Sequence, residues 1–225
     1  KFDGIYVETN TMKVNMEKLG FSNIYILPNC KELKILKENE LAYATSKPFK
    51  LCTFSRVMKE KGIEDAVNAV EEINKKYDET IFTLDIYGQI DSMQTEWFEL
   101  LQSRFSKDIS YKGLVPFDKS TDILKNYYAL LFPTRFYTEG IPGTIIDAYA
   151  SGVPVISAKW ESFNDLVNEK IVGYGYTFGN YNELIKCLSI AMENSYKWNQ
   201  MKKNCLVQAE KYSARYVLNR LIEKL

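Results

Sequence analysis

Short apolar runs and helix-periodic segments take turns along almost the whole of this 225-residue chain, and no other feature restricts its fold so much. "GIYV" (4–7), "NIYILP" (23–28), "FKLCTFS" (49–55), "IFTLDIYG" (81–88), "ISYKG" (109–113), "ALLFPT" (129–134) and "VPVISA" (153–158) each have the length and composition of a strand. Between them lie segments of helical period. In "GIEDAVNAVEEINKKY", for example, Ile63, Ala66, Val67, Val70 and Ile73 fall on one face. Further helices are predicted at 10–20, 91–105, within 117–128, after Pro142 or Gly143 and up to Gly152, and at about 182–194 and 197–225. Strands separated by helices pair in parallel, because a parallel neighbour needs a crossover connection. The expected fold is α/β, a doubly wound parallel sheet with a small N-terminal β-α-β unit ahead of it and a polar connector at roughly 30–48 between them. There is no internal repeat and no low-complexity segment.

Composition narrows the chemistry. The chain has 29 basic and 29 acidic residues, so no overall positive field gathers nucleic acid or anionic lipid. Its hydrophobic content of 46% is ample for a buried core, and no apolar stretch reaches the roughly 18–20 residues that span a bilayer. Histidine is absent, which removes Ser-His-Asp and Cys-His nucleophile systems and the commonest transition-metal ligand. Cys30, Cys52, Cys187 and Cys205 show no metal-binding or redox spacing and are expected to be reduced core thiols. Any chemistry must therefore run on carboxylates, Arg, Lys, hydroxyls and backbone amides. The N-terminus "KFDGIYVETN" starts inside a strand-like segment, and the chain is expected to be part of a longer protein.

In doubly wound sheets ligands bind outside the carboxyl ends of the strands. Three strand-to-helix loops there are chemically distinctive: "SRVMKEKG" (55–62), "GLVPFD" (113–118) and "TRFYTEGIPG" (134–143). In the last, Gly140, Pro142 and Gly143 precede a helix, so its first N–H groups face outward unobstructed. Those amides and the helix dipole, worth about 0.3–1 kcal/mol per charge at an exposed position, suit a phosphate. Glu139 and Asp147 bracket that helix start, and carboxylates there suit hydroxyls, as in a ribose-binding acid. Hydroxyls at both ends and a diphosphate between them describe a nucleotide sugar. The same stretch is also what an acid complementing the helix dipole and one solvated helical Asp would give. Arg56 and Lys61 at the end of another strand could neutralise a diphosphate, Arg through two parallel hydrogen bonds, or be ordinary surface cations.

Together "SRVMKEKG", "YGQI", "YKGLVP" and "PTRFYTEGIPGTIIDAYASGVPVIS" resemble the donor-binding half of retaining GT-B glycosyltransferases of family 4, the glycosyl transferases group 1. The resemblance covers residues 49–225 and rests on Arg-x4-Lys-Gly, then Glu-x7-acid followed by Ala, Gly and Pro-Val-Ile. It implies a Rossmann-like doubly wound sheet, the C-terminal half of a GT-B fold, over 46–225, with 1–45 as the end of the acceptor-binding domain and a connector. "KYSARYVLNRLIEKL" is similar to the terminal helix that crosses back to that domain.

The resemblance also implies site roles. Arg56 and Lys61 would hold the diphosphate, and Asp147 the ribose. Glu139 would face the donor sugar with backbone amides around Ile141, Pro142, Gly143 and Thr144, while Leu114 and Val115 would meet the base. Glu139, Arg56 and Lys61 are the expected catalytic residues. Two positions depart from the family pattern: Asp147 stands where Glu is usual, and Gly143 where a larger apolar residue is common.

The implied reaction transfers a sugar, with retention, from a UDP- or GDP-sugar donor to a hydroxyl of a saccharide or lipid-linked acceptor. No cofactor or catalytic metal is expected, since Arg56, Lys61 and the helix terminus supply positive charge. The implied setting is polysaccharide or glycolipid synthesis, cytoplasmic or at the inner face of the membrane, with peripheral association through the absent N-terminal domain. No nucleic acid partner is expected. By itself the chain should bind donor without transferring it. A nucleotide-sugar epimerase, a nucleotide-sugar-binding or regulatory module and an unrelated Rossmann-like binding module are the competing readings.

Overall fold

The computed structural model describes residues 2–222. The first elements are β1 (Ile5–Val7), α1 (Asn10–Lys18) and β2 (Ile24–Ile26), with β1 and β2 paired in parallel. The main body follows: β3 (Phe49–Phe54), α2 (Ile63–Tyr77), β4 (Phe82–Tyr87), α3 (Thr95–Gln102), β5 (Ile109–Gly113), α4 (Ser120–Leu124), β6 (Ala129–Phe132), α5 (Gly143–Ala150), β7 (Val155–Lys159), α6 (Phe163–Leu166), β8 (Gly173–Thr177), α7 (Tyr181–Glu193), α8 (Ser195–Glu210) and α9 (Ala214–Ile222).

Strands β3 to β8 form one parallel sheet in the order β5-β4-β3-β6-β7-β8. Numbered along the chain, that is 3-2-1-4-5-6, a doubly wound sheet whose direction of growth reverses between β3 and β6. Alternate side chains feed two cores. Leu51, Leu84, Ile86, Leu131 and Ile156 pack under α2, α3 and α7, whereas Cys52, Leu130 and Val155 pack against α4, α5 and α6. In α2 the sequence pattern is fully expressed, with Ile63, Ala66, Val67, Val70 and Ile73 buried, Glu64 and Asp65 in the first turn and Lys75 and Lys76 in the last. Those charges complement the helix dipole at both ends.

The structure adds a short helix, α6, that the sequence did not announce, and it differs most from the sequence expectation in two further elements. One is β8, which is absent from the expected strands because "GYGYT" carries two glycines, a composition that weakens strands. Here a glycine is needed for close approach, since a Cβ on Gly175 would run into the Phe163 ring. The other is the long helix expected at 197–225, which is interrupted after Glu210 and resumes at Ala214. At the break Lys31 takes the backbone groups: its N–H donates to the Tyr212 carbonyl (3.1 Å) and its carbonyl accepts from the Ala214 N–H (2.8 Å). The end of that expected helix, 223–225, lies outside the described residues. The connector, expected to be a polar link, packs onto the body through buried Leu36 and Leu41. Cys52, Cys187 and Cys205 are buried, and all four cysteines are unbridged. No helix among the described residues is long and apolar enough to cross a membrane.

Lys202 of α8 is the least expected core residue, with 1% of its surface exposed. Its ammonium donates to the carbonyls of Tyr127 (3.0 Å) and Gly152 (3.4 Å), just beyond the ends of α4 and α5. Burial disfavours the charged form and pulls this lysine down from the ordinary 10.5 to about 8. Between those two values the unfolded chain holds the proton more tightly than the folded chain, so this group's contribution to stability rises with pH. We expect Lys202→Met to remove that slope. In urea unfolding followed by circular dichroism, the wild type should gain roughly 1–2 kcal/mol on the variant between about pH 8 and 9.5.

Candidate functional site

The switch point between β3 and β6 opens into a cavity of about 520 Å³. Its walls come from the loops that follow those two strands, from the start of α5 and from Lys31 of the connector. After β3 the chain passes Ser55 and Arg56, makes a 3-10 turn at Lys59–Lys61 and enters α2 through Gly62. Gly62 has φ +67°, and a Cβ there would fall into the carbonyl of Pro133, so only glycine lets the two loops come this close. The loops are then stitched together: the Arg135 N–H donates to the Glu60 carbonyl (2.8 Å), and its guanidinium forks onto Asp65 (2.7 and 3.1 Å).

Within that frame Lys61 and Glu139 form a largely shielded ion pair, and Thr134 donates to the same carboxylate (3.1 Å). The Lys61 ammonium also lies 4.9 Å from the centre of the Phe136 ring and 5.8 Å from that of Phe132. Arg56 stands at the mouth. Its contact with Asp91 is 3.8 Å and its side chain is mostly exposed, so most of its donors are open to a ligand.

Two amides of the α5 start are open. The N–H groups of Ile145 and Ile146 fold back onto the Pro142 carbonyl (3.0 and 3.4 Å), whereas those of Gly143 and Thr144 have no hydrogen-bond partner among the described residues. The Thr144 hydroxyl is shielded from solvent and also lacks a partner. Unsatisfied shielded donors are uncommon and costly, and here they line a cavity.

Asp147, one turn on, is 6% exposed, so it is not the solvated helical Asp of the simpler alternative. Both its oxygens accept from the Lys31 ammonium at 2.7 Å. Burial raises its carboxyl above the usual range, opposed by the hydrogen bonds and charge of Lys31 and by Ser120.

Of the residues implicated by sequence, Arg56, Lys61, Glu139, Pro142, Gly143, Thr144 and Asp147 share this cavity. Pro142 lines it without an N–H to offer. Ile141 is not on the wall: it is buried, its N–H donates to Glu8 (2.6 Å) and its carbonyl accepts from Asn29 (2.9 Å). Leu114 and Val115 line a smaller cavity of about 270 Å³ with Tyr87, Gly88 and Gln89. The two cavities share Phe54, Ser55 and Arg56, so they adjoin. Sequence reasoning missed Lys31, which lies 116 positions from Asp147, and Glu8 and Asn29, which grip Ile141 from the N-terminal segment. No local spacing could have revealed them. The aromatic floor of Phe132 and Phe136 was hidden within a strand end and a loop.

A parallel sheet of this order with its crevice at the switch point is a Rossmann-like domain. It superposes on TarM (TM-score 0.79, 16% identity, 99% of this chain and 43% of that one) and on sucrose-phosphate synthase from Thermosynechococcus elongatus (0.81, 14%, 100% and 58%). It also superposes on the pneumococcal O-GlcNAc transferase GtfA in complex with UDP and GlcNAc (0.74, 23%, 99% and 44%). The chain belongs to the glycosyl transferases group 1 family, whose model matches residues 48–194. An uncharacterized glycosyltransferase of Haemophilus influenzae is 23% identical over 205 residues, 90% of this chain and 55% of the relative. The GtfA subunit of a UDP-N-acetylglucosamine–peptide N-acetylglucosaminyltransferase from Streptococcus agalactiae is 34% identical over 112 residues, 49% of this chain and 20% of the relative. The chain thus spans about half the length of the first of these relatives and a fifth of the second.

Because Gly62 combines a left-handed backbone with a carbonyl where a side chain would stand, Gly62→Ala should lower unfolding stability by about 1–3 kcal/mol. Denaturant melts of the two proteins check this.

Proposed function

We propose that this chain is the donor-binding half of a retaining glycosyltransferase of family 4, which moves a sugar from a nucleoside-diphosphate donor to a hydroxyl of a saccharide or lipid-linked acceptor. The observation that carries the proposal is the sharing of one cavity by Arg56, Lys61, the open amides of Gly143 and Thr144, and the carboxylates of Glu139 and Asp147. Cations and free amides suit the diphosphate, and carboxylates on either side suit the hydroxyls of sugar and ribose. The adjoining cavity at Leu114 and Val115 is the place for the base, reached past Arg56. The acceptor-binding domain would be formed by residues 1–45, the last being connector, together with the rest of the protein.

In this reading the bond between the anomeric carbon and the diphosphate oxygen breaks while the acceptor oxygen bonds to the same face of that carbon. The acceptor's proton passes to the departing diphosphate oxygen. Arg56, Lys61 and the α5 amides stabilise the negative charge that grows on the leaving group. Lys61 is already held against Glu139, so its position is set before the donor arrives. Glu139 faces the sugar, accepting from its hydroxyls and stabilising the positive charge that develops at the anomeric carbon. The reaction is assigned to polysaccharide or glycolipid assembly at the cytoplasmic face of the membrane, with membrane contact made by the rest of the protein.

Thermal-shift and calorimetric titrations of the 225-residue chain with UDP, GDP and ADP and their sugars should give saturable binding to one of them. Transfer by this chain alone should be undetectable, and failure to bind any of the three would remove the donor-site assignment. In the complete enzyme Arg56→Ala and Lys61→Ala should each lower kcat/KM by about 10- to 100-fold, the loss expected from one charged hydrogen bond to the leaving group. Undiminished transfer in both variants would contradict their phosphate role.

A further inference from the structure

Two positions of the site, Asp147 and Gly143, border a single group, the Lys31 ammonium. It bonds both Asp147 oxygens at 2.7 Å. A Cβ placed on Gly143 would stand in ordinary contact with it, 3.9 Å from Lys31 Cδ and 4.0 Å from its Nζ, so Lys31 lies against the start of α5 at this glycine. Lys31 is also held from behind. Its backbone is bonded on both sides to Tyr212 and Ala214, and two residues earlier Asn29 donates to the Ile141 carbonyl at 2.9 Å. The ammonium is thus delivered to the cavity wall by a fixed backbone and not by a wandering surface side chain.

We propose that Lys31 is a positioning residue of the donor site: it fixes the Asp147 carboxylate in the cavity wall so that the remaining lone pairs of that carboxylate receive the two ribose hydroxyls. This rests on the donor-binding function proposed above. A carboxylate oxygen has two acceptor directions, so each Asp147 oxygen can keep its bond to Lys31 and take a hydroxyl as well. Reading of the ribose then depends on a residue from outside the 48–194 segment that matches the family.

The test is calorimetric titration of the 225-residue chain with UDP, GDP and ADP, each alongside its 2′,3′-dideoxy form. The wild type should bind the ribonucleotide about tenfold more tightly than the dideoxy nucleotide, the value of a charged hydrogen bond. Lys31→Met should lose that preference by weakening only the ribonucleotide, and Lys31→Arg should restore most of it. Asp147→Asn should abolish the same preference, and combining it with Lys31→Met should cost nothing further. If Lys31→Met does not fold, Lys31→Gln takes its place in the comparison.

Equal weakening of both nucleotides in the Lys31 variants would assign Lys31 to the phosphates or to general support and overturn the proposal. An unchanged preference in Lys31→Met would overturn it too. A wild type that binds none of the three diphosphates overturns the donor-site function and this inference with it, whereas one that binds without favouring the ribose form overturns this inference alone.

Discussion

The pairing of β3 with β6 is the constraint on which the remaining structure turns. These neighbours are hydrogen-bonded side by side, Leu51 to Ala129 and Cys52 to Leu130, yet the chain leaves them toward opposite edges of the sheet. Helices that follow them therefore diverge, and a crevice opens at their carboxyl ends without any residue being spent on carving it. The Pro133 carbonyl beside Gly62 and the Arg135 fork on Asp65 hold the two departing loops at a fixed spacing. Lys61 and Glu139 thereby meet although 78 positions separate them.

Charge in the crevice is arranged in pairs. Lys61 sits with Glu139 and Lys31 with Asp147, while Arg56 at the mouth is only loosely engaged. A shielded carboxylate left alone would be expensive and would tend to take up a proton, as the upward pull of burial on Asp147 illustrates. Pairing lets acids and cations stand close together in one cavity without either being left alone. It also keeps the cavity from becoming so positive that it would hold any passing anion. Lys202 shows the contrasting solution, a lone buried ammonium held by two carbonyls and made easier to deprotonate.

Local pattern made most of the sheet legible in the sequence. Apolar runs bounded by Gly and Pro marked seven of the strands, and the one-sided periodicity of residues 63–73 marked α2. The cavity residues Arg56, Lys61, Glu139, Gly143, Thr144 and Asp147 were legible because each sits in a short loop or helix start whose residue types are unusual together. What escaped was non-local. The glycines of β8 are explained only by what lies against them, the Val155 carbonyl at Gly173 and the Phe163 ring at Gly175, and the break before α9 only by a connector that crosses it. Lys31 looked like one more surface lysine, and the Ile141 amide looked free, until chain from the far N-terminal end was laid against both.

That crossing has a mechanical meaning. The connector and the break between α8 and α9 are two separate passages of chain, and they touch through a parallel bridge at Lys31 and Ser213. Lys31 is a joint of this kind: its backbone is bonded to Tyr212 and Ala214 at the break, and its side chain ends on the carboxylate of Asp147. The start of the terminal helix and the cavity wall are therefore tied to each other through a single residue, with only one side chain between them.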